Sequence, residues 1–375
     1  MPERTITWNW QQPGWPHFQW EAEALRDLQA RFQHRAGLFQ GVLRHLGADD
    51  KDALIIEVIS AEAYKTSEIE GEILDRDSLQ SSLRRNFGLD TDGRRTAPAE
   101  KGIADMMTAL YRGFDKALDD RTLFDWHEML MTARRDITDI GCYRTHPDPM
   151  QVVSGAHGDI TVHFEAPPSE RVAAEMARFI TWFNDTAPGG GSPLPPLARA
   201  GLAHLWFVSI HPFEDGNGRI GRAISELALS QALQRPTLIA LSHAIQTRRK
   251  IYYRELELAN KELAVTDWLV WFAETVLAAQ ERSQALIDIV ITKTKMLDRL
   301  SGRLNERQMK VLLRMFREEP EGFKGGLSAE NYLSITGTSR ATATRDLAAL
   351  VKLGALTRTG ERKGTRYWLN IDRSE

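Results

Sequence analysis

Residues 211–222, His211-Pro212-Phe213-Glu214-Asp215-Gly216-Asn217-Gly218-Arg219-Ile220-Gly221-Arg222, constrain this chain more than any other stretch. An apolar helical segment at 197–210, with Leu202, Leu205, Phe207 and Ile210, runs into His211-Pro212. Proline stops a helix, so the imidazole is left at a loop edge. Gly216-Asn217-Gly218 frees the backbone for positive φ and close approach to a ligand. A second helix opens there and carries Ile224, Leu227 and Leu229 inward. Its first amides lack intrahelical partners and its dipole is positive at that end, which suits a phosphate. Arg219 and Arg222 lie three apart and share a face. Cations at a helix N-terminus oppose its dipole, so the pair makes sense when a multiply charged anion lies between them. Each guanidinium can grip phosphate oxygens with two parallel hydrogen bonds, and the pair suits a triphosphate. Asp215 is the carboxylate placed to hold Mg²⁺, and His211 is the neutral-pH base. The plainer alternative is a helix–turn–helix whose glycines and arginines serve only packing and solvation.

The surrounding text reads as mainly helical. Its 375 residues suffice for two or three domains. With 42% hydrophobic and 26% charged residues it can bury globular cores. A net charge of -3 argues against a chain that sits as a whole on nucleic acid or an anionic membrane. Cys142 is the one cysteine, which excludes an intramolecular disulfide framework and a cysteine-built zinc site and fits a reducing, cytoplasmic setting. Met1-Pro2-Glu3-Arg4 does not open a secretory signal. No apolar run approaches the ~18 residues of a membrane span.

Four tryptophans, Trp8, Trp10, Trp15 and Trp20, sit among Gln, Pro and Gly at the start, where an extended arm with its indoles plugged into the body is expected. Helical spacing follows from Glu21 to about Phe39 and again from Asp49-Asp50 to Ile69, with Gly71 as the stop. Residues 86–97 read as a loop. Helices are expected near 100–118, 122–133, 169–185, 196–210, 218–233, 247–260 and 265–299. Between them, Val152-Val153-Ser154 and Ile160 to Phe164 form a hairpin around Gly155-Ala156-His157-Gly158-Asp159, a flap inserted in a helical domain. Helices at 305–317, 327–335 and 340–352, the last capped by Thr338-Ser339, precede a hairpin of Leu356 to Arg358 and Thr365 to Leu369. That order is a winged helix-turn-helix. The expected divisions are 1–98 for the arm and N-terminal helices, 99–285 for the core, 286–302 for a linker helix and 303–375 for the winged helix.

Residues 211–222 closely resemble the signature of the Fic family, His-Pro-Phe-x-Asp/Glu-Gly-Asn-Gly-Arg-x-x-Arg, and every defined position matches. The resemblance covers roughly residues 99–280 and implies a helical Fic core with a hairpin flap. It implies transfer of AMP from ATP to a Ser, Thr or Tyr hydroxyl of a target protein, which includes the chain itself. On that pattern His211 deprotonates the hydroxyl and Asp215 binds Mg²⁺. The amides of Gly216, Asn217 and Gly218 hold the α-phosphate, while Arg219, Gly221 and Arg222 complete the ATP site around the outer phosphates. Tyr252, Tyr253 and Asn260 match positions that line adenine and ribose. Val152, Val153, Ser154 and Gly155 resemble the segment that docks the target backbone by strand addition. Relatives that phosphorylate instead carry Lys where this chain has Gly218. Trp126, His127 and Arg144 are read as structural.

Thr66-Ser67-Glu68-Ile69-Glu70-Gly71 resembles the Fic inhibitory motif, Ser/Thr-x-x-x-Glu-Gly/Asn. It implies that Glu70 binds Arg222 in place of the γ-phosphate and misaligns ATP; in some relatives the same glutamate supports AMP removal. Between Thr338 and Leu369 seven basic residues face two acidic ones, a local +5 that fits DNA contact or protein docking. The competing readings are a nucleotide-sensing DNA-binding regulator and a Fic enzyme with another nucleotide donor. A homodimer is a further expectation, since the arm and the long helices offer surfaces.

Overall fold

The computed structural model describes residues 7–45, 47–91, 93, 95–155, 161–319 and 322–371. Fourteen helices dominate them: α1 Arg26–His45, α2 Ala48–Ile69, α3 Arg76–Asn86, α4 Pro98–Arg112, α5 Asp120–Met131, α6 Ser169–Asp185, α7 Pro196–Ile210, α8 Asn217–Leu233, α9 Leu241–Thr247, α10 Arg249–Ala259, α11 Thr266–Arg299, α12 Glu306–Phe316, α13 Ala329–Thr336 and α14 Arg340–Lys352. Two antiparallel hairpins complete them, β1 Gln151–Ser154 with β2 Thr161–Glu165, and β3 Leu356–Thr359 with β4 Arg366–Leu369. The mainly helical class expected from the pattern is what forms.

The chain divides into two compact units, one of residues 1–42 and 55–283, the other of residues 43–54 and 284–375. The first therefore joins the arm and most of the N-terminal helices to the core, which the sequence reading separates after residue 98. At its centre α7 is buried from Leu197 to Ile210. A helix apolar all round is a core helix, and α7 is enclosed accordingly. Helix α8 packs along it closely because Gly221 faces the partner helix: a Cβ there would lie 3.0 Å from Val208 Cγ1. The arm is pinned as its composition suggests. Trp8, Trp10 and Trp15 are buried. The Trp10 indole donates to Glu165 O at 2.7 Å and that of Trp15 to Glu175 Oε2 at 2.9 Å. Trp8 meets Phe164 of β2 edge-on at 5.4 Å.

Two elements differ from expectation. α3 forms in text too polar to announce itself; Asp75 caps it by accepting from Ser78 N at 2.7 Å, and only Leu79 and Leu83 mark its inner stripe. The helix expected at 247–260 forms as α10, but a short helix the sequence did not announce, α9, precedes it, and the two part at Arg248, whose backbone leaves the helical region (φ -120°, ψ 28°). The turn between β1 and β2 at 156–160 lies outside the described residues.

The second unit has its own core of Val311, Leu312, Met315, Phe316, Tyr332, Leu347, Leu350 and Leu356. Asn305, Ser328 and Ser339 cap α12, α13 and α14 through their side chains. Leu327 pairs with Tyr367 and adds a bridge beside the hairpin.

Candidate active site

The glycine-rich turn is built as a seat for an anion. Gly216 caps α8 with φ 81°, a conformation glycine adopts without strain. Asn217 is buried and turned inward: its Oδ1 accepts from Phe213 N at 3.0 Å and its Nδ2 donates to Phe213 O at 2.8 Å. It staples the turn and leaves only its backbone to face outward. Gly221 packs against α7 as described, so its part is helix contact and not phosphate contact. At the first turn of α8, Arg219 Nε and Arg222 Nη1 are buried donors without a hydrogen-bond partner among the described residues.

An acid from elsewhere occupies this seat. Helix α2 ends at Ile69, and Gly71 takes φ 86° so that Glu72 N returns to Ser67 O at 3.0 Å. This closing turn aims two carboxylates at α8. Glu70 Oε1 accepts from Arg222 Nη2 at 2.8 Å, and Thr66 accepts from the same guanidinium through Oγ1 at 2.7 Å and O at 2.9 Å. Glu72 Oε2 takes Arg219 Nη1 at 2.7 Å. The Glu70 carboxylate lies against the turn itself: a Cβ on Gly218 would come within 2.2 Å of its Oε1 and 3.2 Å of Arg222 Nη1. Burial disfavours the charge on Arg222, but Glu70 offsets this and holds its pKa up.

His211 ends α7 in the left-handed region at φ 51°, which costs a non-glycine residue energy and needs outside support. Arg144 supplies it. Arg144 N donates to Pro212 O at 2.9 Å and its Nε to His211 O at 2.8 Å; the rest of the guanidinium is anchored on Ser169 Oγ and Pro167 O. His211 Nδ1 faces Val208 O at 3.3 Å. A carbonyl there makes Nδ1 the protonated nitrogen and leaves Nε2 with its lone pair. Burial, with a further push from Arg144, lowers the His211 pKa to about 4, so the ring is neutral at pH 7. His127 underlies the turn, stacked on Phe213 at 4.1 Å, and burial also lowers its pKa to about 4.

Asp215 works against its burial. Arg219, the Gly216 amide and Arg134 together hold its carboxyl below the usual range. Arg134 bonds it directly, and Arg219 Nη2 stands 3.5 Å away. Among the described residues no group of three or more His, Cys, Asp or Glu forms a metal cage. A divalent ion here would rest on Asp215 with oxygens of a ligand and water, which is the usual manner of Mg²⁺.

The remaining expected residues divide. Tyr252 is buried, its hydroxyl 2.8 Å from His204 Nε2. Asn260 is buried too, its Oδ1 accepting from Ser209 at 3.0 Å and its O from Asn9 N at 2.7 Å. Both are buried in this arrangement, and Tyr252 lies beside Arg222 and Tyr253. Tyr253 is open, its ring tilted 55° to that of Tyr252 at 5.1 Å and with Arg249 over its face. Val152 and Val153 stand exposed on β1, whose one strand partner among the described residues is β2. The register slips between them, which leaves His163 as the extra residue; it touches Ser154 Oγ at 2.6 Å and Glu257 Oε2 of α10 at 3.0 Å. Gly155 follows with φ 120°. Glu72, Arg134 and the clamp by Arg144 escape sequence reading, because each acts on α7–α8 from a distant segment with no spacing to betray it.

Known proteins resemble this chain in sequence and in fold. Residues 117–229 match the sequence model of the Fic/DOC family, and residues 8–89 match a domain of unknown function, DUF4172. Over 117 residues the chain is 35% identical to the protein adenylyltransferase Fic of Drosophila willistoni and, equally, of Drosophila melanogaster. That stretch is 31% of this chain and 22% of each relative, so the match spans less than a quarter of their length. Among solved structures, a Fic family protein from Desulfovibrio desulfuricans G20 superposes with a TM-score of 0.55 at 20% identity, over 96% of this chain and 99% of that one. A Fic domain-containing signaling protein from Bacteroides thetaiotaomicron gives 0.51 at 19%, over 70% and 95%. These two similarities concern the fold alone.

Proposed function

We infer that this chain, which carries a Fic/DOC-family domain at residues 117–229, is a protein adenylyltransferase held in check by its own Glu70. The observation that carries the reading is the carboxylate of Glu70 on the first turn of α8, bonded to Arg222 and pressed against Gly218. An internal anion at a helix N-terminus lined by two arginines marks the position an outer phosphate of ATP would take. With Glu70 withdrawn, Arg219 and Arg222 grip the β- and γ-phosphates and the amides of Gly216 to Gly218 face the α-phosphate.

A hydroxyl of the target, presented along β1, then attacks the α-phosphorus. Its proton passes to His211 Nε2, the P–O bond to the β-phosphate breaks, and pyrophosphate leaves while AMP stays on the target. The low basicity of His211 favours handing that proton on after reaction. Mg²⁺, held by Asp215, would neutralise phosphate charge. Catalysis here is alignment with charge stabilisation, so a carboxylate that shifts the bound nucleotide suffices to stop it.

The test is transfer of label from the α-phosphate of ATP, with UTP, GTP and CTP in parallel, to protein in the presence of Mg²⁺. Label from ATP that disappears in His211→Ala is expected. Label that survives that substitution overturns the mechanism, and preference for another nucleotide overturns the donor.

A further inference from the structure

We propose that the second compact unit binds duplex DNA, with α14 in the major groove and the β3–β4 hairpin against the backbone. Charge is distributed unevenly along the chain: residues 303–375 hold 14 Lys and Arg against 9 Asp and Glu, a balance of +5 in a chain whose total is -3. Such asymmetry is the electrostatic footprint of a module that meets a polyanion.

The faces of α14 sort its side chains by partner. Ala343, Asp346, Leu347 and Leu350 are buried. Asp346, the one acid on this helix, is consumed inside: it accepts from Arg307 Nε at 2.9 Å, Tyr332 OH at 2.9 Å and Asn305 Nδ2 at 3.2 Å. The outward face is left with Arg340, Ala341, Thr344, Arg345, Ala348 and Lys352, all exposed. Its 13 residues span about 20 Å at ~1.5 Å each, a length the major groove admits. Arginines can address guanine edges there, and alanine and threonine methyls can lie close to the groove floor and meet thymine methyls. Arg340 and Arg345 are lightly held, by Glu330 at 3.3 Å and Thr342 at 3.4 Å, so both can turn to a new partner. On the hairpin Arg358 and Arg362 are exposed and placed for phosphate.

One observation separates DNA from a protein partner. Protein interfaces are anchored by large apolar side chains at their centres. The exposed large hydrophobics of the described residues, Leu38, Ile73, Val152, Val153, Ile251, Tyr253 and Leu258, all precede this region. The surface around α14 offers cations, hydroxyls and methyls, which fits a charged groove and not an apolar pocket.

The experiment is fluorescence anisotropy of the full chain with a labelled mixed-sequence duplex of about 20 base pairs. Binding at about 50 mM salt is expected, weakening about 10²-fold by about 200 mM as released counterions dictate for some four phosphate contacts. Arg340→Ala with Arg345→Ala should weaken binding at least tenfold, and Arg358→Ala with Arg362→Ala should lessen the salt slope. All four side chains are exposed, and circular dichroism verifies that the variants fold. Arg340→Lys with Arg345→Lys should keep mixed-sequence binding, since the charge is kept, but flatten preference in a selection from random duplexes. Absence of binding at low salt overturns the proposal and points to protein docking. Affinity unmoved by both pairs of alanine variants overturns it as well.

Discussion

Helices α2 and α8 meet at two places that could hardly be more different electrically. Next to the glycine turn, Glu70 and Thr66 close on Arg222 and Glu72 closes on Arg219, each carboxylate with a cation of its own. Two helical turns back along α2, Glu62 is buried, and on α8 one turn beyond Arg222 so is Glu226. There both side chains are carboxyls, which repel each other when both are ionised. Burial, little offset by the Ser242 amide that donates to both oxygens, pushes the Glu62 pKa up to about 7; burial and Glu62 together push that of Glu226 up. The first contact can be exchanged for any anion of the right shape, because an arginine seat does not distinguish a carboxylate from a phosphate. The second admits no such exchange and is stabilised by a proton. One helix pair therefore has a replaceable end at the site and a fixed end behind it.

The largest effect should come from breaking the replaceable end. Glu70→Gly removes the occupant of the anion seat, and transfer of AMP to protein is expected to rise about 10²-fold, the usual scale for restoring an ångström of alignment. Initial rates with ATP labelled at the α-phosphate measure it. An unchanged rate means that the contact is structural only, and the contrast between the two ends then loses its meaning.

Thr66→Ala probes the same end from the packing side. It removes the acceptor of Arg222 Nε, a buried charged donor, and should lower stability by about 1–3 kcal/mol. A lower melting temperature together with partial release of activity is the expected pair of results. A stability loss with no change in rate would separate the hold on Arg222 from the hold on Glu70.

How much of this could be read from the chain follows from what kind of contact is involved. The α7–turn–α8 unit is legible because twelve consecutive residues encode it, and Glu70 is legible because its motif is local too. Local text also misleads at Gly221, which stands within the motif yet faces α7, because helical phase and not adjacency decides what a residue touches. Arg144 looks like any loop arginine, and its hold on His211 crosses 67 residues. Glu72 reaches Arg219 across 147. The Glu62–Glu226 pair leaves no trace at all in a linear reading, since two glutamates on helix faces are ordinarily solvated; only burial reveals their strain.

That pair yields the smaller and more diagnostic test. A buried carboxyl whose folded pKa lies above its unfolded value near 4.5 binds protons more tightly in the folded state. Its contribution is complete below about pH 4.5 and is lost as pH rises through about 7. The pH–stability profile should therefore carry a declining component between those limits, opposed by a rising one from His127 and His211, whose folded pKa values of about 4 lie below the ordinary 6.5. Glu226→Gln removes the like charge while keeping the shape, and should flatten the decline and raise the melting temperature at pH 8. Because the fixed end supports the replaceable one, the wild-type chain should also modify protein somewhat faster at pH 8 than at pH 6, by a factor of about 2–3, and the variant should lose that difference. A pH profile identical in both would show that the two ends are uncoupled and that Glu70 is held by Arg222 alone.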